Sequence, residues 1–302
     1  MAVTAALVKE LRELTGSGMM DCKKALVETD GDIDKAVEYL REKGILKAQK
    51  KSSRIAAEGL VQTAFSDDGK RAAIIEVNSE TDFVAKNEEF QKFVSDLAEL
   101  ALKKESSSME AFMEEDFEGK KVSEVLTEKV AKIGENLSIR RFANLNEDGV
   151  VYTGYVHGGR IGVIVGIKTD ASKSEIESCA RDVAMQVASM NPKFVDESSV
   201  DQTYIENERR ILKEQVLNEG KKPEMADRIV DGKIKKELKE VCLVAQPFVK
   251  NGDQNVGQYV AEFAKKIGKE MQVVSMIRYE VGEGIEKKDD DFAKEVAAAV
   301  QG

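Results

Sequence analysis

The chain has 302 residues, 42% of them hydrophobic and 34% charged, with three prolines and no tryptophan. Such a length allows about two ordinary domains, and the composition reads as a soluble, globular chain with a large helical share. The formal net charge of -10 argues against nucleic acid as the main partner, because such binders gain affinity by neutralising phosphates with Lys and Arg.

Residues 1–46 read as three short helices. Thr4 is placed to cap the first, which carries Leu7, Leu11 and Leu14 and ends at Gly16 and Gly18. The second spans about 21–28, and Asp32 caps a third with Ile33, Val37 and Leu40, stopped by Gly44. The basic stretch 47–54 has no apolar face and reads as a linker. Two runs rich in branched residues, 60–65 and 71–78, flank Ser66-Asp67-Asp68-Gly69 and signal a hairpin. A polar link, 79–87, leads to a helix with Phe90, Phe93, Val94, Leu97 and Leu100 on one face. The stretch 103–120 reads as a loop, followed by a helix near 122–134 and a strand near 137–145.

The pattern then recurs. A second hairpin, 150–156 and 161–167, turns at His157-Gly158-Gly159-Arg160; a helix over about 174–190 ends before Pro192. A helix near 256–269 and a strand near 271–281 complete this unit. Between them, 198–241 reads as two charged helices, with Tyr204, Ile211 and Val216 on one and Ile229, Ile234 and Leu238 on the other. The expected fold class is α+β: a three-helix module and linker (1–54), two related core subdomains (55–147 and 148–285), an antiparallel helical hairpin inserted at 198–241, and a C-terminal helix (286–302).

Enzyme chemistry finds little to work with. One histidine, His157, rules out a histidine metal cluster within one chain. GxSxG is absent, Gly282-Glu283-Gly284 does not continue into a dinucleotide fingerprint, and Gln258-Tyr259 stands where a P-loop would need Lys-Ser/Thr. No cofactor and no metal are expected. The N-terminus shows no signal-peptide pattern and no run reaches about 18 apolar residues, so no membrane contact is expected. Cys22, Cys179 and Cys242 are scattered and odd in number, which suits a reducing cytoplasm.

Two stretches stand out. In the first, residues 11–26, Gly16 and Gly18 make a turn that presents Met19 and Met20. These methionines read either as core filler or as an adaptable partner contact. In the second, Glu76 to Asn87, Phe83 lies in the link before the helix that Asn87 caps. Phe83 could fold back on its own core. The second unit, however, leaves its hairpin through Thr169-Asp170-Ala171, with Ala171 where the aromatic would stand, which favours Phe83 as an added functional group.

Both stretches resemble the two signatures of the elongation factor Ts family nearly residue by residue. Tyr155-Val156-His157-Gly158, Gln246-Pro247-Phe248-Val249 and Arg278 to Glu286 extend the similarity along the chain. The resemblance implies a guanine-nucleotide exchange factor that works by binding, not an enzyme, with elongation factor Tu in its GDP-bound and nucleotide-free states as partner. It implies an exchange loop of Thr81, Asp82, Phe83 and Val84, with further contacts from Met19, Met20, Lys23, His157, Gly158 and Val249. Without it, His157 reads as an ordinary exposed turn residue. The narrow apolar stripes of 198–241 suit pairing with another helix, so this hairpin is the expected route to a homodimer. Two rivals are a peptide-binding adaptor, since the N-terminal module resembles ubiquitin-associated domains, and an RNA-binding factor using 47–54.

Overall fold

The computed structural model of the chain describes residues 3–286, and the helix expected beyond residue 286 lies outside that range. The N-terminal module contains α1 (Ala5–Thr15), α2 (Met19–Glu28) and α3 (Ile33–Lys51). The Thr4 hydroxyl and the Asp32 carboxylate accept the capping hydrogen bonds of α1 and α3, and Gly16 closes α1 at φ 65°. A small core of Val8, Leu11, Cys22, Ala25, Leu26 and Ala36 holds the three together.

The third helix does not stop at Gly44 as its sequence suggests; it continues through most of the supposed linker. Gly44 is buried, and a Cβ there would lie 3.2 Å from the Cβ of Ala131 on a core helix. The glycine permits close helix packing, which offsets the ~1 kcal/mol that it costs inside a helix.

The first subdomain comprises β1 (Glu58–Phe65), β2 (Ala72–Ser79), α4 (Asp82–Ala85), α5 (Glu88–Lys104), α6 (Met109–Met113), β3 (Asp116–Phe117), β4 (Lys120–Lys121), α7 (Val122–Ile133) and β5 (Leu137–Leu145). The expected loop at 103–120 therefore holds a short helix and a small β-ribbon. The second contains β6 (Val150–His157), β7 (Ile161–Lys168), α8 (Lys173–Met190), the hairpin α9 (Gln202–Asn218) and α10 (Pro223–Val241), β8 (Pro247–Phe248), β9 (Asn251–Asn255), α11 (Val256–Ile267) and β10 (Gln272–Glu280). The main sheets are antiparallel, ordered β1-β2-β5 and β6-β7-β10. In each, the second hairpin strand is central, so the repeat read from element order is a repeat of topology.

Strand alternation decides how these layers stack. On β2, Ala73, Ile75 and Val77 join α5 and α7 in one core, while Ala72 and Ile74 join Val61, Val150, Tyr152 and Ile164 in another. On β7, Val163, Val165 and Ile167 face α8 and α11 instead, and Ile164 faces the shared core. The two sheets thus pack against each other between outer helical layers. Central strands buried on both faces read as continuous apolar runs, as β2 and β7 do. Gly162 marks a close approach, since a Cβ there would come within 2.3 Å of Val61 Cγ1.

A buried carboxylate fastens the seam. Glu76 on β2 accepts from Arg141 Nε at 2.6 Å, Arg140 at 3.0 Å, Asn78 Nδ2 at 3.1 Å and the Gly282 N–H beyond β10 at 2.8 Å. Burial raises its pKa, but the hydrogen bonds from Gly282 and the arginines outweigh this and hold the carboxyl below the usual range.

The inserted helices run antiparallel: Arg209 pairs with Asp231 and Lys213 with Asp227. Their shared core is Val216, Ala226, Val230 and Ile234, with Ile205 and Leu212 packed beside it. Of the stripe read as Tyr204, Ile211 and Val216, Val216 is buried and Ile211 is exposed. Among the described residues, no helix is long and apolar enough to cross a membrane.

Candidate partner-binding site

The link between β2 and α5 is fixed at both ends. On its β2 side, the Thr81 N–H and hydroxyl both donate to Glu135, at 2.9 and 2.7 Å, and Glu80 accepts from the Asn136 N–H at 2.5 Å. On its α5 side, Val84 and Ala85 are buried in the first core, and Asn87 caps α5 by accepting from the Glu89 and Phe90 N–H groups. Between these anchors Phe83 is 79% exposed. Val84, expected on the contact surface with its neighbours, points inward.

Asp82 pairs with Lys86 at 2.6 Å, and Lys86 Nζ also lies 5.8 Å from the Phe83 ring centroid. The Lys86 hydrogen bond, with help from the charges of Lys86 and Arg160, holds the Asp82 carboxyl below its usual range. It is therefore anionic at neutral pH.

The equivalent link of the second subdomain is shorter, residues 169–172 against 80–87. Its Ala171 is buried in the second core, so it corresponds to the anchoring Val84 and not, as the bare sequence suggests, to Phe83. The first link carries an additional helical turn, α4, and Phe83 sits on it.

Register brings the second hairpin turn to the same end of the molecule. Glu58 lies opposite Ser79 across β1 and β2, and Arg160 pairs with Glu58. The Val61 N–H donates to the Gly159 carbonyl at 2.7 Å. His157 and Gly158 are exposed on this turn, with the His157 ring held through Nδ1 by the Tyr155 hydroxyl at 2.8 Å.

The N-terminal module packs beside the start of α5. Met19 and Met20 are 59% and 74% exposed at the start of α2, and Lys23 is exposed one turn later. This exposure removes the core-filler reading of the two methionines. The Gly16 turn lies against the side chain of Lys132, which donates to Glu89 at the start of α5. Hydrogen bonds from Lys129 and Lys132 draw the Glu89 carboxyl down to about 2. Val249 is elsewhere, half exposed on the β8–β9 ribbon, where its N–H donates to Gln186 of α8 at 2.8 Å.

The sequence reading missed Glu135, Asn136 and Arg160. Their partners lie 54 to 102 positions away in the chain, and no local pattern announces such pairs. As for reactivity, all three cysteines are free and buried, and burial with the Asp182 charge pushes the Cys179 thiol up to about 12. The exposed group is an aromatic ring, an anionic carboxylate, methionines and a turn, which is contact chemistry.

Comparison with known proteins gives a consistent answer. The family described as Elongation factor TS matches residues 80–283. The chain is 52% identical over 297 residues to the Elongation factor Ts of Clostridioides difficile, covering 98% of each chain. It is 50% identical to that of Clostridium perfringens strain SM101, again over 98% of each. With that of Clostridium tetani the identity is 48%, over 99% of this chain and 100% of the relative.

Proposed function

The chain belongs to the elongation factor Ts family, and we propose on that basis that it binds elongation factor Tu carrying GDP in the cytoplasm and accelerates GDP release. The observation that carries this reading is the exposure of Phe83 on a loop held at Thr81 on one side and at Val84 and Ala85 on the other. A large apolar group held out in water by a rigid frame suits insertion into a partner.

Elongation factor Tu is a P-loop GTPase, a class that holds its nucleotide through backbone donors, a lysine and a magnesium ion. Phe83 wedges between packed elements of the GTPase domain and displaces those that bear on the metal. Asp82 brings negative charge toward the same region. Met19, Met20 and Lys23 dock the N-terminal module, and His157, Gly158 and Val249 touch other parts of the partner. The protein works by stabilising the nucleotide-free state, without a covalent step, cofactor or metal of its own. The coupling is reciprocal: by whatever factor the protein weakens GDP binding, GDP weakens the protein's binding. Release of fluorescent GDP from elongation factor Tu, followed with and without the protein, tests the reading; an unchanged rate overturns it.

A second role concerns the hairpin. Ile211, Leu217 and Met225 are exposed on α9 and α10, outside the hairpin's own core, and suit pairing with a second copy of the chain.

A further inference from the structure

The geometry points to Glu135 as a positioning residue that holds the Thr81-Asp82-Phe83 segment in the form that enters the partner. This rests on the reading of Phe83 as the intruding group. Thr81 occupies the N-cap position of α4, where a threonine oxygen ordinarily accepts from the helix N–H groups. Here it makes no such cap. Its hydroxyl and its N–H turn instead to the two oxygens of Glu135, at 2.7 and 2.9 Å, and Ser79 Oγ donates to the Thr81 carbonyl at 2.9 Å.

A four-residue helix has no stability of its own, because nucleation outweighs so few hydrogen bonds. Its shape must be imposed from outside. Burial of Val84 and Ala85 fixes one end, and the two charge-assisted bonds to Glu135 fix the other. Asp82 and Phe83 span the gap between them.

Glu135 is itself well held. It follows Gly134, which ends α7 at φ 86°, and precedes Asn136, whose N–H donates to Glu80 and whose Nδ2 donates to the Arg54 carbonyl at 2.8 Å. Lys51, at the end of α3, donates to the Gly134 carbonyl. The α7–β5 corner thus ties the intruding segment to the long helix of the N-terminal module, so the two present to the partner as one rigid unit. Removing the carboxylate leaves the contact residues unaltered but lets the arch wander, and the loss falls on the step in which Phe83 enters.

The test is stopped-flow release of fluorescent GDP from elongation factor Tu, measured against concentration of the full chain. Glu135→Ala is expected to lower the maximal rate about tenfold, the scale of losing one to two such bonds. Half-saturation, which reports docking by surfaces that the variant retains, stays near the wild-type value. Glu135→Gln, which keeps one acceptor, recovers part of the rate, and Glu135→Ala combined with Thr81→Val is no slower than Glu135→Ala alone. Amide hydrogen exchange quickens over 80–86 while β1 and β2 stay protected. A wild-type maximal rate in Glu135→Ala, beside a slow Phe83→Ala control, overturns the positioning role. So do Glu135 and Thr81 effects that simply multiply. Should Glu135→Ala lose its fold, wild-type rates in both Glu135→Gln and Thr81→Val overturn it equally. A Phe83→Ala control as fast as wild type overturns the intruding-group reading first, and the positioning role with it.

Discussion

Replacing Phe83 with alanine separates the exchange surface from the fold. The ring is 79% exposed in the free chain, so its loss should change folding stability by no more than about 0.5 kcal/mol. In a complex the outcome differs. A phenylalanine side chain buries about 150–250 Å², and at about 25 cal/mol per Å² the exposed share would contribute about 3–5 kcal/mol if wholly covered. Alanine retains a little of that area, and ordering the ring offsets some of the rest, which leaves about 2–3 kcal/mol. Interactions accelerate release only as far as they are stronger in the nucleotide-releasing state than on first docking. A fall of at least about tenfold in the exchange rate is the expected result. Thermal unfolding and stopped-flow GDP release on one preparation decide it. A variant that melts well below wild type, yet exchanges normally per folded molecule, would show Phe83 to be a core residue and refute the reasoning.

Asp82→Ala should slow exchange less than Phe83→Ala, because a half-exposed carboxylate acts over a short, screened range while the ring displaces packed atoms; if release shows the same magnesium dependence as wild type, the carboxylate has no part at the metal. Glu76→Gln should destabilise the chain by about 2–3 kcal/mol, since two arginines lose a buried partner, and equal urea midpoints for the two proteins would contradict this. The folded pKa of Glu76 lies below its ordinary 4.5, so its contribution is complete above that pH and disappears as acid carries the solution through the lower folded value; wild type should lose stability over that window and Glu76→Gln should lose less. Replacing 198–241 with a short Gly/Ser linker should leave exchange intact and weaken self-association, because the hairpin carries its own core; sedimentation unchanged by the deletion would remove the homodimer role, and lost exchange would make the hairpin part of the working surface.

Much of this organisation was legible in the sequence because it rests on local rules. Thr4, Asp32 and Asn87 cap the helices their positions suggest. The hairpin strands read at 150–156 and 161–167 are the observed β6 and β7, whose valines and isoleucines suit a buried strand. Where the reading failed, a distant partner decided the outcome. Gly44 reads as a helix stop until Ala131 comes to rest against it. Val84 and Phe83 are adjacent apolar residues in one polar link, and nothing local says that one faces the core and the other water. Sequence position sets Ala171 against Phe83, whereas burial matches it to Val84. Ile211 and Leu212 pose the same ambiguity, and the approach of α10 settles which of them turns inward.

The repeated topology of the core also bears on where its extra elements sit. Both sheets are covered on both faces, and where they meet the fit is so close that Gly162 has no room for a methyl group. A substitution on either central strand disturbs a packed interior, at several kcal/mol for a typical change of volume. The connections carry no such constraint. The first copy lengthens its strand-to-helix link by the turn that bears Phe83, and the second keeps that link short but opens its helix-to-helix connection to admit α9 and α10. The two units carry their extra elements at different connections, and each is anchored by residues outside it: Glu135 at the α7–β5 corner holds the first, and the Lys193 and Phe194 N–H groups, which donate to the Val241 carbonyl at the end of α10, hold the base of the second.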